Sequence, residues 1–174
     1  PAIVGTFSLV LLSVCWALPV GMAAGIYLAE YAEGRTKKML DLIFDVMSGL
    51  PSIVVGLFGF SVAVFLNKKL SGSIHPCLLI SSIALAFLVL PYIIRTTQIS
   101  LEGLPQAVRI GALALGASRL QNIVHVLLPQ ALSGILSGVI LAIGRCAEDT
   151  AVIMLTGVVA SAGIPRSLLS TYEA

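Results

Sequence analysis

Charge is what this sequence has least of. Of its 174 residues, ten are Lys or Arg and eight are Asp or Glu, 10% in all, where an ordinary soluble domain carries roughly 25%. Hydrophobic residues make up 58% of the chain and the mean hydropathy is +1.06. So few polar groups cannot enclose that apolar volume in water, which excludes a soluble globule. Disorder is excluded as well, because disordered chains are poor in large aliphatics. Cysteine is also scarce: Cys15, Cys77 and Cys146 stand singly in apolar runs. An odd count with no close pair builds neither a disulfide framework nor a zinc site, and all three are expected to be small packing residues. His75 and His125 are isolated, so no metal is expected, and no cofactor. A net charge of +2 with no basic tract interleaved with aromatics excludes nucleic acid as a partner. The chain has no G-x-x-x-x-G-K-[ST] to cradle ATP phosphates, and no H-E-x-x-H or G-x-S-x-G to start an enzyme mechanism.

What is present is apolar sequence in span-sized pieces. A membrane helix needs about 20 such residues. The expected spans are about 4–31, 46–66, 76–95 and 129–155, so the fold class is an all-α, polytopic transmembrane bundle in one domain, 1–174. The chain begins at Pro1, and it is expected to be a piece of a longer protein. The first apolar run lacks a basic leader and is too long for a signal peptide. Asp41 and Asp45 stand one helical turn apart before the second span, and Pro51 is expected to kink that span or restart it. Gly157, Gly163, Pro165 and Arg166 are expected to form a closing loop. The connections 29–45 and 95–121 hold Arg35, Lys37, Lys38, Arg95, Arg109 and Arg119; the opposite side holds Lys68, Lys69 and Arg166. The excess of bases places the first two connections in the cytoplasm. Gly21 with Gly25, and Gly134 with Gly138, are small-xxx-small pairs that let helix backbones approach closely, as packing within the chain or between chains.

The segment 100–129 has more order than a loop requires. Pro105 can open a helix over Gln106–Leu115. Gly116, Ala117 and Ser118 then end it and cap a second helix, Arg119–Leu128, that leads to Pro129. Two apolar-faced helices in water need a partner groove to cover them. Here the sequence resembles the permease subunits of ABC importers, whose cytoplasmic motif is Glu-Ala-Ala, three residues, Gly, nine residues, an aliphatic, one residue, then Leu-Pro. Ala112, Gly116, Val126, Leu128 and Pro129 fall at those spacings, while the opening Glu-Ala is replaced by Ile110-Gly111.

Three further stretches resemble the phosphate-importer permeases within that family: Asp45 to Gly59, Leu90 to Thr97, and Gly144-Arg145 followed by Asp149-Thr150-Ala151. The A-type permease of those systems is resembled in particular at Ala29-Glu30-Tyr31-Ala32. The resemblance implies a type-1 importer permease core in the cytoplasmic (inner) membrane, crossing it several times. It implies alternating access driven by a separate ATP-binding cassette ATPase subunit, so that the chain itself is no enzyme. It implies a second permease subunit in a heterodimer, an extracytoplasmic substrate-binding protein, membrane lipid around the bundle, and inorganic phosphate as cargo. Gln106, Ala107, Arg109, Ile110, Gly111 and Ala112 would form the ATPase-coupling helix, with Gly116, Ala117, Ser118, Leu128 and Pro129 completing the segment. A permease for molybdate or sulfate, or a channel-like pore, remains the alternative.

Arg145, Glu148 and Asp149 interrupt an otherwise uncharged run from Val126 to Pro165. Intramembrane charge costs about 2.5–3.5 kcal/mol per residue on the more lenient insertion scale, so these side chains face a cavity or a partner. Spaced three and four apart, they can share one helical face. With Thr150 and Arg95 they are the candidate substrate path, since a guanidinium matches two oxygens of an oxyanion at once. The competing reading is an ion-paired knot that holds the helix to its neighbour. For Arg95 the competing reading is a side chain that snorkels to the headgroups.

Overall fold

The computed structural model of the chain describes residues 2–69 and 78–156. His75, Cys77, Gly157, Gly163, Pro165 and Arg166 lie outside the described residues. Regular structure among the described residues is helical throughout: α1 (Ala2–Glu30), α2 (Gly34–Ser48), α3 (Ser52–Lys69), α4 (Leu78–Glu102), α5 (Gln106–Ala114), α6 (Arg119–Asn122), a π-helical turn (Ile123–Leu127), α7 (Leu128–Glu148) and α8 (Thr150–Thr156). This is the all-α bundle expected of the sequence. Three stretches are long and apolar enough to span a bilayer: Ile3–Glu30, Leu78–Glu102 and Arg119–Glu148. The bent pair α2 and α3, whose axes meet at 92°, passes the same test of length and composition when taken together, as a broken span or a re-entrant loop.

The bundle is built around α4. Leu9, Val14 and Ala17 of α1 pack with Leu85, Val89 and Ile93 of α4, and Ala142 and Cys146 of α7 close the same cluster. The approach is close because glycines line the seams. A Cβ at Gly21 would lie 2.7 Å from Ile93 Cγ2, and one at Gly25 would lie 2.6 Å from Thr97 Cβ. On the other side of α4, Cβ atoms at Gly134 and Gly138 would crowd Ser100 and Thr96. Both small-residue pairs therefore serve packing within the chain. Their order gives direction: α1 runs with α4, and α7 runs against it.

Three boundaries differ from the expected spans, each for a physical reason. The stretch expected as the second span is broken: α2 ends at Ser48 with Gly49 as its C-cap, and Pro51, which cannot donate to a preceding turn, precedes the new helix α3. The third does not stop at Arg95, because α4 continues to Glu102 with that guanidinium paired to carboxylates on α2. The fourth is not continuous from 129 to 155. Its helix begins ahead of Pro129, and the π-helical turn Ile123–Leu127 precedes the proline; such a turn accommodates the carbonyl that a proline ring cannot meet. It then ends at Glu148, where Asp149 takes an extended ψ of 94° and α8 starts afresh.

Candidate functional site

Two charged layers cross the bundle, and their chemistry differs. The first lies where α2, α4 and the C-terminal end of α1 meet. Arg95 donates through Nε to Asp45 Oδ1 at 3.1 Å, through Nη1 to Asp41 Oδ1 at 2.8 Å and Gln98 Oε1 at 2.9 Å, and through Nη2 to Asp45 Oδ1 at 2.5 Å. Gln98 donates to Asp41 and Glu102, and Lys37 donates to Glu102 at 2.6 Å. Arg109 extends the layer, donating to Glu30 Oε1 at 2.5 Å and to the Leu101 carbonyl. Three bases face four acids here, and each base has its carboxylate.

The second layer is at the break after α7. Gly134 against Ser100 and Gly138 against Thr96 define an antiparallel register that sets Arg145 level with Val89 and Glu148 level with Ala86 of α4. At 1.5 Å per residue, Glu148 is about 13 Å along α4 from Arg95, well inside the apolar part of the bundle. Asp149 is 4% exposed and accepts the Val152 N–H on Oδ1 at 3.1 Å, so its carboxylate caps α8. Its other oxygen is 4.0 Å from Arg145 Nη2, an ion pair without a hydrogen bond. Arg145 is about a third exposed, its buried Nε has no partner, and it makes no hydrogen bond among the described residues.

The expected path residues are thus sorted by the fold. Arg145 and Asp149 face each other across the break, and Glu148 is exposed beside them. They do not share a helix face as the i, i+4 spacing suggested, because the helix ends between Glu148 and Asp149. The backbone of Thr150 opens α8; its side chain lies outside the described residues. Arg95 is held apart from them, its guanidinium bonded to Asp41 and Asp45 of α2 and to Gln98.

One feature escaped the sequence reading. Gln130, Ser133, Ser137, Gly144 and Glu148 are all exposed on α7, and at 3.6 residues per turn they fall in one narrow stripe. The neighbouring face carries the exposed aliphatics Leu132, Leu136, Ile140 and Ile143. The signal in the sequence is the spacing of three, four, seven and four residues from Gln130 through Ser133, Ser137 and Gly144 to Glu148.

At the charged end, α5 falls on the first of the two expected helices, but the second, expected over Arg119–Leu128, is only the four-residue α6 and a π-helical turn that runs on into α7. Gln106 opens α5 after Pro105, and Gly116 has φ +87°, a left-handed turn that favours glycine. Ser118 caps the next helix in a reciprocal pair with Gln121. Gln106, Ala107, Ile110 and Gly111 are exposed, as are Gly116, Ser118 and Pro129, while Ala112, Ala117 and Leu128 are half-buried. Arg109 turns the other way, into the bundle, where Asn122 also donates to its carbonyl at 2.8 Å. It anchors the segment instead of contributing to its outer face.

The pattern of binding-protein-dependent transport system inner membrane components matches residues 21–169. The chain belongs to that family. Its members are inner membrane components of transport systems, which accords with a multi-pass chain that carries no enzyme motif. Among curated relatives, a phosphate transport system permease protein PstA from Yersinia pestis is 39% identical over 158 residues, covering 89% of this chain and 51% of that protein. A probable ABC transporter permease, YqgH, from Bacillus subtilis is 37% identical over 160 residues, covering 90% and 52%. The chain spans about half the length of the curated relatives it matches. A solved structure of the MetNI methionine ABC transporter in an inward-facing form superposes with a TM-score of 0.71 at 20% identity, covering 82% of this chain and 67% of that one. That likeness establishes the importer-permease fold.

Proposed function

We propose that this family member is the permease subunit of an ATP-driven importer and that its cargo is inorganic phosphate. The observation that carries the reading is the break in the last span beside a guanidinium that makes no hydrogen bond among the described residues. Interrupted backbone at membrane depth is tolerated where it is buried in protein or lines a wet cavity, and broken helices near the midplane are where transporters hold substrate. Arg145 has donors to spare and stands beside the polar stripe of α7, which supplies a wettable wall leading to it. The relatives named as phosphate permeases support phosphate over molybdate or sulfate. Asp149 holds the break open as a cap and sets the guanidinium's position.

The charged end is taken as cytoplasmic, as the distribution of bases indicates. The exposed aliphatics Ile110, Leu113 and Leu115 of the α5 region form an apolar face that suits a groove on the ATPase subunit. Movement of α5 is passed inward through Arg109 to Glu30 on α1 and to the end of α4, which rocks the bundle about Arg145. A second permease subunit and an extracytoplasmic binding protein complete the system.

The decisive experiment uses the full transporter reconstituted with its ATPase, companion permease and binding protein. Arg145→Ala should lower phosphate uptake by about 100-fold or more, on the order of 3 kcal/mol, as expected for losing a charged donor that faces an anion. Arg145→Lys should recover a small part, since an ammonium lacks the bidentate fork. Unimpaired uptake by the alanine variant sinks the path reading, and ATP hydrolysis stimulated by sulfate or molybdate in place of phosphate sinks the cargo.

A further inference from the structure

Glu148 is exposed on α7 and has no ion pair among the described residues. Its level, opposite Ala86 of α4, is inside the apolar bundle, where a carboxylate must meet a partner charge or water. The nearest base in sequence, Arg145, is turned towards Asp149 on the other side of the break. With one base and two acids among the described residues, the layer carries one negative charge in excess. An uncompensated negative charge would repel an anion arriving at Arg145. The stripe that carries Glu148 is too polar to face acyl chains, whereas the aliphatic face beside it is suited to them.

These observations call for a cation that the described residues of this chain do not supply. We infer that Glu148 is one half of an ion pair across a subunit seam, the other half being a basic side chain at the same depth on a companion membrane chain of different sequence. A second copy of this chain fits the charge less well. It would bring another −1 to the layer, and in a two-fold contact each Arg145 would have to serve both its own Asp149 and a facing Glu148. A basic companion neutralises Glu148 and leaves Arg145 as the cation with donors free. The inference rests on the path reading only for the wet surroundings of α7 and requires no particular anion.

The test is a charge swap in the full transporter, read as the amount of permease heterodimer recovered from membranes, with no transport assay involved. Glu148→Lys should reduce recovery by about tenfold or more, the size set by an unpaired intramembrane charge. Reversing the facing base of the companion should do the same, and the two reversals together should restore assembly. Glu148→Gln, which inserts without a charge, should give an intermediate loss. Wild-type recovery of the lysine variant, or no reversal on the companion that restores it, overturns the pair. So does a disulfide between two copies of Glu148→Cys in a complex whose mass holds two copies of this chain. If Arg145→Ala transports normally while the double reversal restores assembly, the path reading falls and the seam stands; the converse result separates them the other way.

Discussion

The layer around Arg95 and the layer around Arg145 are built from the same residue types and do opposite things. In the first, an arginine, two aspartates, a glutamine, a glutamate and a lysine close a network in which the arginine donates through all three nitrogens. In the second, an arginine faces one aspartate at 4.0 Å and leaves its Nε without a partner among the described residues. What separates them is the charge that the neighbouring helices bring. At the charged end, α2 crosses α4 and lays Lys37, Asp41 and Asp45 along it at helical spacing, so each base meets an acid. At the break, the charges among the described residues are Arg145, Glu148 and Asp149, and Asp149 is already committed to α8. A satisfied network resists change; an open one is available for a ligand or a second chain.

Substitutions should break this contrast in a graded order. Arg95→Ala should have the largest effect on stability, about 2–3 kcal/mol, because it strands two carboxylates that the guanidinium bridges. The check is the thermal midpoint of the purified complex. Arg145→Ala measured in the same way should fall within about 1 kcal/mol of wild type; an equal loss at both arginines would show the second layer to be a structural knot. Between these, Gly116→Val should cost about 1–2 kcal/mol for forcing a branched side chain into a left-handed turn, and it should lower co-purification of the ATPase subunit. The smallest effect belongs to Gly144→Ala. A Cβ there would meet no atom within 4 Å, so stability should hold or rise by at most about 1 kcal/mol. A clear loss of assembly instead would mark Gly144 as covered by the companion chain.

The parts of the fold that were legible in the sequence are those set by near neighbours. Gly116 and Ser118 stand at their turn and cap because the chemistry is local. Pro51 stands at the α2–α3 break because a proline's constraint acts within one turn. Arg95 was not legible: its partners are 50 and 54 residues away, and the choice between path and snorkelling omitted a third helix. Asp149 misled for the opposite reason. Its four-residue spacing from Arg145 suggests a shared helix face, but a carboxylate that can accept the N–H three residues on competes with the helix it would belong to. The stripe on α7 was visible in outline, yet which face of an apolar helix stays open is decided by where its glycines let α4 approach.

The π-helical turn at Ile123–Leu127 joins the segment after α4 to α7 without a loop. A π-helical turn holds about one residue more than an α-helical one, and that extra width serves Pro129, which has no N–H to give and whose ring crowds the carbonyl four residues back. The stretch from Arg119 to Glu148 is thereby kept as one 30-residue rod through its proline. A displacement at its charged end would reach Arg145 as the movement of a single body, with no hinge between them.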